Sequence, residues 1–116
     1  YLVLAAYAQV QLLLSDYVQH YGLRRRREGD RAEPIGPAHS WDAPHPASSL
    51  WMLNAPRHSD HHAHPARPYP ALRLGEITSG RPILPHSLPA MAVLALLPPL
   101  WRRAMDKRVR ALAVRS

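Results

Sequence analysis

His58, His61 and His62 stand at i, i+3 and i+4 within the run Asn54-Ala55-Pro56-Arg57-His58-Ser59-Asp60-His61-His62-Ala63-His64-Pro65. In a helix these offsets bring three imidazoles to one face, one turn apart, where they can converge on a single ion or bridge a pair. Imidazole binds zinc, copper, nickel and iron, so residue type alone leaves the metal open. Histidine-rich tracts also occur as solvated loops that bind metal weakly. Local details favour a built site. Asn54 is a good N-cap and Pro56 suits a first helical turn, which predicts a helix beginning at Ala55 with the histidines on its first two turns. His64 precedes Pro65, where that helix should end, and reads as a neighbour rather than a ligand.

Composition narrows the chemistry. The chain has no cysteine, which excludes a thiolate zinc site and a disulfide framework. A histidine-only site therefore points to a catalytic metal. The 116 residues carry a formal charge of +7, 13 prolines and no phenylalanine, a composition poorly suited to an independent water-soluble globule.

The elements that must position the histidines begin with Tyr1 to Leu14, YLVLAAYAQVQLLL. This apolar run, continued to about Val18, reads as the end of a transmembrane helix, since a span needs about 20 such residues. It has no basic n-region and no small-residue cleavage site, so it is not a signal peptide, and the chain is expected to extend upstream of Tyr1. A buried amphipathic helix is the competing reading, disfavoured by the lack of a clean polar face. Arg24 to Arg27 follow directly and mark a cytoplasmic end, close to anionic headgroups. Basic runs also neutralise nucleic-acid phosphates, but nothing nearby resembles a nucleic-acid-binding module, and no nucleic-acid partner is expected.

Glu28 to Ser49 is rich in proline, charge and small side chains and reads as a long loop. Leu88 to Leu97 is apolar but too short to cross a bilayer, and Pro98-Pro99 should end it. With Trp101 and the basic tail Arg102 to Arg115 it reads as an interfacial segment, the tryptophan at headgroup depth. His39, His45 and His86 are isolated and read as surface or hydrogen-bonded histidines, with His39, in His39-Ser40-Trp41, able to lie near the site. No internal repeat, glycine-rich phosphate loop or convincing serine nucleophile is visible.

Four ordered motifs together carry a resemblance: DYVQHYGL (Asp16 to Leu23), HSW (His39 to Trp41), LNAPRHSDHHAHP (Leu53 to Pro65) and LPPLWRRAMDKRV (Leu97 to Val109). The chain resembles the C-terminal part of the membrane-bound alkane hydroxylases (alkane 1-monooxygenases), in the wider fatty-acid-desaturase-like group. The resemblance implies an all-α fold, an integral membrane helical bundle with long irregular loops and a cytoplasmic histidine-rich site for two non-haem irons. It implies hydroxylation of the terminal methyl group of medium- or long-chain n-alkanes with dioxygen and electrons from rubredoxin, in the bacterial inner membrane, among membrane lipid. Carried over by motif, His20, His58, His61 and His62 are the implied iron ligands. The family's two upstream motifs, HExxxH-like and HxxxHH-like, are absent from this sequence, so the remaining ligands must come from elsewhere.

Residues 1–18 then correspond to the end of the last transmembrane helix, 19–52 to a loop, 53–65 to the histidine motif and 66–116 to the interfacial and basic C-terminal segment. The chain departs from the family pattern in carrying Asp16 and Gln19 where asparagine and glutamate are usual, and Ala55-Pro56 before Arg57. Gln19 can accept a hydrogen bond beside His20 but brings no charge, so ring orientation and basicity at His20 come into question. A related desaturase or xylene-type methyl hydroxylase, and a non-catalytic membrane-associated metal-binding protein, are the alternative readings.

Overall fold

The computed structural model describes residues 1–75 and 81–114, the side chain of Glu28 excepted. The chain is mostly helical: α1 (Leu2–His20), α2 (Pro46–Trp51), α3 (His58–Ala63), α4 (Leu88–Ala95) and α5 (Pro98–Ala113). The segment expected as a long loop holds a small antiparallel hairpin of β1 (Arg27–Glu28) and β2 (Arg31–Ala32), a 3-10 turn at Pro37–His39 and the start of α2.

α1 continues through Val18 to His20, so the first candidate ligand ends a helix instead of entering a loop. Its N-terminal turns leave Leu2, Val3, Leu4, Val10, Leu12 and Leu13 largely exposed, whereas Val18 is fully buried. Among the described residues no helix is long and apolar enough to cross a membrane. In α1 the cause is local, because Gln9, Gln11, Ser15, Asp16, Gln19 and His20 interrupt the apolar sequence.

The core lies where the C-terminal end of α1 meets α4 and α5: Val18, Trp41, Leu88, Met91, Trp101 and Met105 are buried together. Here the structure corrects the expectation for Trp101. Pro98 and Pro99 do follow the end of α4, but they also open α5, since a first-turn proline lacks an N–H that the helix would leave unpaired. The turn at Leu96-Leu97 folds α5 back on α1, and Trp101 and Met105, one turn apart, face inward. Trp101 packs edge-to-face on Tyr21 at 5.2 Å between ring centroids, buried in the protein core instead of facing outward as its apolar and basic flanks suggested. Of the basic tail, Arg102, Arg103, Lys107, Arg108 and Arg110 are exposed, and Arg115 lies outside the described residues.

Ser40 to Ala43 is a buried extended segment that ties the elements together through its backbone. Trp41 N–H donates to Gln19 C=O at the end of α1 (2.7 Å), Asp42 N–H to Pro82 C=O (3.0 Å) and Ala43 N–H to Pro56 C=O (3.0 Å), while Asp42 C=O accepts from Leu84 N–H (2.8 Å). Three separated stretches of sequence, at Gln19, Pro56 and 82–84, are thereby fixed around one strand-like segment, and each of these main-chain groups is paired, as burial requires.

The approach to α3 also differs from expectation. α3 begins at His58, with Arg57 as its cap position, three residues after the predicted start at Ala55. Asn54 does not cap it: Asn54 and Leu53 are left-handed (φ 66° and 49°) and close α2. Asn54 N–H bonds Ser49 C=O (2.7 Å) and Leu53 N–H bonds Leu50 C=O (3.4 Å), the paired pattern of a Schellman C-terminus. The Asn54 amide is spent on Pro70 C=O instead (2.8 Å).

Gly22 is where backbone freedom is required. Its φ is +71°, and a Cβ built there would lie 2.6 Å from a Val109 methyl. The chain turns out of α1 at this point and α5 passes directly over it. Gly22→Ala is expected to lower unfolding free energy by about 1–3 kcal/mol, from left-handed strain plus overpacking, read as a lower urea midpoint at unchanged m-value; Val109→Ala in the same background should recover part of the loss.

Candidate metal centre

His20 ends α1, while His58 and His62 lie one turn apart on α3, so two elements far apart in sequence supply three rings. Their Nε2 atoms form a nearly equilateral triangle: His20 to His58 3.2 Å, His20 to His62 3.3 Å and His58 to His62 3.0 Å. These three residues can together hold a metal ion. Two nitrogens bound to one ion at about 2.1 Å are about 3.0 Å apart at a right angle and about 3.4 Å apart at a tetrahedral angle. The observed edges fall in that interval, so the donor set fits a divalent transition metal on one face of its coordination sphere.

The tautomer of His20 is fixed by its surroundings. Its Nδ1 lies 3.0 Å from the His39 carbonyl oxygen, which accepts only, so Nδ1 carries the proton and Nε2 turns a lone pair toward the triangle. The His39 ring is itself locked: Nδ1 accepts from Gly36 N–H (2.9 Å), leaving Nε2–H to donate to Glu33 (3.0 Å). The Arg26 N–H and the His39 ring hold the Glu33 carboxyl below its usual range. His39 thus acts on the site through its backbone. Gln19, suspected of orienting His20, turns away: its amide donates to Ala55 C=O (3.4 Å) and accepts from Ser15 (3.2 Å).

His61 stands beside the triangle rather than in it. Its ring is 5.9 Å from those of His58 and His62 and stacks on Tyr69 at 5.0 Å. Its Nδ1 is buried without a hydrogen-bond partner. His64 points away and pairs with Asp60 (3.0 Å), as expected of a neighbour. His45 sits at the N-cap position of α2 and His86 is exposed, both away from the cluster.

Three residues unremarked in the sequence hold α3 in place. Asp42 is fully buried, and its carboxylate accepts from Ser59 N–H (2.8 Å), from the Ser59 hydroxyl and from Arg81 (3.1 Å). Arg81 also donates to Ser59 Oγ (2.6 Å). Asp42 therefore supplies, from 16 residues before His58 in sequence, the carboxylate that α3 lacks at its own cap position. Burial pushes the Asp42 carboxyl above its usual range, opposed by the Ser59 bonds and the Arg81 charge. On the far side of α3, Asp60 binds Arg67 (2.6 Å) and Arg73 N–H (2.8 Å) and so wraps the following segment around the helix. Although burial alone would raise it, those bonds hold the Asp60 carboxyl low. An acidic residue next to tryptophan in HSWD and another inside HSDHH were the available signals, but neither spacing reveals its partner.

Removing one member of a buried ion pair leaves the other uncompensated. Asp42→Ala should cost about 3–5 kcal/mol, and Ser59→Ala about 1.5–3 kcal/mol as a lost bond to a charged group, both measured by urea unfolding.

His58 and His62 are pushed toward the neutral form that a metal ligand needs. Burial first, then the neighbouring His62, His20 and His61, push His58 down to about 3 from 6.5. Burial, with His20 and His61, lowers His62 as well. In the metal-free chain the unfolded state therefore binds more protons than the folded one below pH 6.5, down to about 3 for His58. Stability must fall as pH drops through that window. Urea midpoints of the metal-free chain should decline between pH 7 and pH 5, and His58→Gln should flatten the decline.

The geometry can be set beside known proteins. Residues 1–95 match the family model described as fatty acid desaturase. The chain is 46% identical over 101 residues to alkane 1-monooxygenase 2 of Pseudomonas aeruginosa, covering 86% of this chain and 26% of that protein. It is 43% identical over 106 residues to alkane 1-monooxygenase 2 of Alcanivorax borkumensis, covering 90% and 27%. With the alkane 1-monooxygenase of Acinetobacter baylyi the identity is 40% over 111 residues, covering 94% and 26%. The chain thus spans about a quarter of the length of the curated relatives it matches. On the family model's coverage of most of the sequence, the chain belongs to the fatty acid desaturase family.

Proposed function

We propose that this chain contributes part of the metal centre of an alkane 1-monooxygenase, with His20, His58 and His62 as ligands to iron and His61 as a further ligand beside them. The observation that carries the reading is the triangle of Nε2 atoms with edges of 3.0, 3.2 and 3.3 Å. Three ring nitrogens converge on one point, and the His39 carbonyl and the Asp42 anchor hold them there. His61 fits the reading because its buried ring nitrogen has no protein partner. Iron so held would activate dioxygen for hydroxylation of an unactivated terminal methyl group, chemistry that no side chain here supplies.

In this reading two non-haem irons are completed by ligands outside the chain, since four histidines are too few for both. The chain's own residues set ligand tautomer and spacing, keep His58 neutral, and shield the site on the side of Trp41 and Ser59. The exposed leucines and valines of α1 suit lipid or neighbouring helices, and in this reading the chain lies in the bacterial inner membrane with the metal site on its cytoplasmic side. The arginines at 24–27 and the exposed cations of α5 suit an acidic electron donor such as rubredoxin, which they would steer by charge. A medium- or long-chain n-alkane would enter between helices, most of them outside this chain.

Alanine replacement of His20, His58, His61 or His62 in the complete protein should remove alkane hydroxylation and lower the iron content measured by atomic absorption, while His45→Ala and His86→Ala leave both near normal. Full turnover with any of the first four replaced would strike that residue from the site.

A further inference from the structure

The corner that joins α4 to α5 lacks the polar capping of a corner in water. A helix start leaves N–H groups that a serine, threonine, asparagine or aspartate side chain ordinarily satisfies. α5 has no side-chain cap, and its first two residues, Pro98 and Pro99, have no N–H at all. The N–H groups of Leu96, Leu97 and Trp101 bond to Val93, Leu94 and Leu97 C=O at 3.2, 3.0 and 3.0 Å. Most main-chain donors of the corner are thus paired or absent, as an apolar surrounding demands. The side chains agree: Val93, Leu96, Leu97 and Leu100 are 50–65% exposed, and no charged residue lies between Arg81 and Arg102. We propose that this corner is a bilayer-contacting surface, with Val93, Leu96, Leu97 and Leu100 in the acyl region of one leaflet and Arg102 and Arg103 among its anionic headgroups. The proposal deepens the membrane placement given above and does not depend on the metal centre.

The order of charge along the chain favours lipid as the occupant. Arg102 and Arg103 follow directly on Trp101, are exposed, and make no ion pair among the described residues. An apolar patch that gives way within one helical turn to unpaired cations matches the layers of a leaflet, acyl chains and then anionic headgroups. The path of α5 continues the same order. Trp101 packs on Tyr17 at 5.6 Å between ring centroids, Val109 lies over Gly22, and Val109 and Leu112 share a cleft with Arg24 and Arg26. The corner therefore lies at the end of α5 nearer the turns of α1 before Asp16, which carry no charge, and the far end of α5 lies beside the arginines that follow α1. Both helices place apolar surface at one end and cations at the other. The residues of Leu88 to Trp101 that face the core, Leu88, Met91 and Trp101, are not the ones offered to lipid. A stretch too short to cross a bilayer suits a corner that enters one leaflet and returns.

The chain has no cysteine, so single cysteine replacements can be spin-labelled without background. Depth is then read by electron paramagnetic resonance power saturation, with oxygen as the probe that enters acyl chains and a nickel(II) chelate as the probe that stays in water. In vesicles of phosphatidylcholine and phosphatidylglycerol, labels at Leu96→Cys, Leu97→Cys and Leu100→Cys should be open to oxygen and shielded from nickel, at a depth of about 5–10 Å. A label at Ala111→Cys, exposed near the other end of α5, should show the reverse. Because the replaced side chains are exposed, circular dichroism should match wild type. Leu12→Cys reports on α1 separately. Corner labels open to nickel would put the corner in water and overturn the proposal; the membrane placement of α1 would still stand if Leu12→Cys were open to oxygen alone, and would fall too if nickel reached it. Corner labels shielded from both probes would show that protein covers them, a second copy or another polypeptide, and would overturn it equally. Corner labels in lipid with Leu12→Cys shielded from both probes would uphold the corner and place α1 against protein.

Discussion

A buried carboxylate at Asp42 sets the geometry on which everything else here depends. α3 is a single short stretch of helix, His58–Ala63, too brief to be stable by its own hydrogen bonds and without a capping side chain. Asp42 supplies the missing acceptor to its first turn, and Arg81 balances the charge that this buries. Because Asp42 sits in the segment whose backbone also grips Gln19 and Pro82, the same residue fixes α3 relative to α1. The position of His58 and His62 against His20 is thus a consequence of one anchored strand.

That arrangement explains how three nitrogens from distant parts of the chain come to lie 3.0–3.3 Å apart. The core is small, but it is concentrated at the C-terminal end of α1, where Val18, Trp41 and Trp101 meet. Rigidity is placed where the three histidines converge, and the apolar turns of α1 further from them are left uncovered. The His39 carbonyl then directs His20, while His39 is held by Gly36 and Glu33. The histidine triangle, the groups orienting it and the packing behind it form consecutive layers, each positioned by the next.

The neutrality of His58 and His62 follows first from their burial, and the neighbouring rings add to the penalty on a charge there. A protein that spends stability to keep His58 and His62 unprotonated is prepared for a metal, which reclaims part of that cost when it binds. Membership of the fatty acid desaturase family, and the similarity to alkane 1-monooxygenases, accord with a centre of this kind.

By itself the sequence determined the residue types and the local periodicity. Histidines at 58, 61 and 62 could be read as one helical face because helical spacing is a property of neighbours along the chain, and the helical character of 1–18 followed from its composition. The HYG, HSW and HSDHH motifs carried the family. What depended on contacts between distant residues was not legible. The start of α3 was misplaced because Asn54 looks like a cap in sequence, yet its left-handed backbone closes α2 and its amide serves Pro70. Trp101 read as interfacial from its flanks, and only the reversal at Leu96-Leu97 turned it into the core. Gln19 seemed to attend His20 by adjacency, but successive residues on a helix point about 100° apart, and the attending group is a carbonyl 19 residues away. Tertiary structure alone decided which three histidines share a point and which stands beside them, because convergence on an ion is set by how α1 and α3 are anchored to Ser40–Ala43, and no spacing within either helix encodes that.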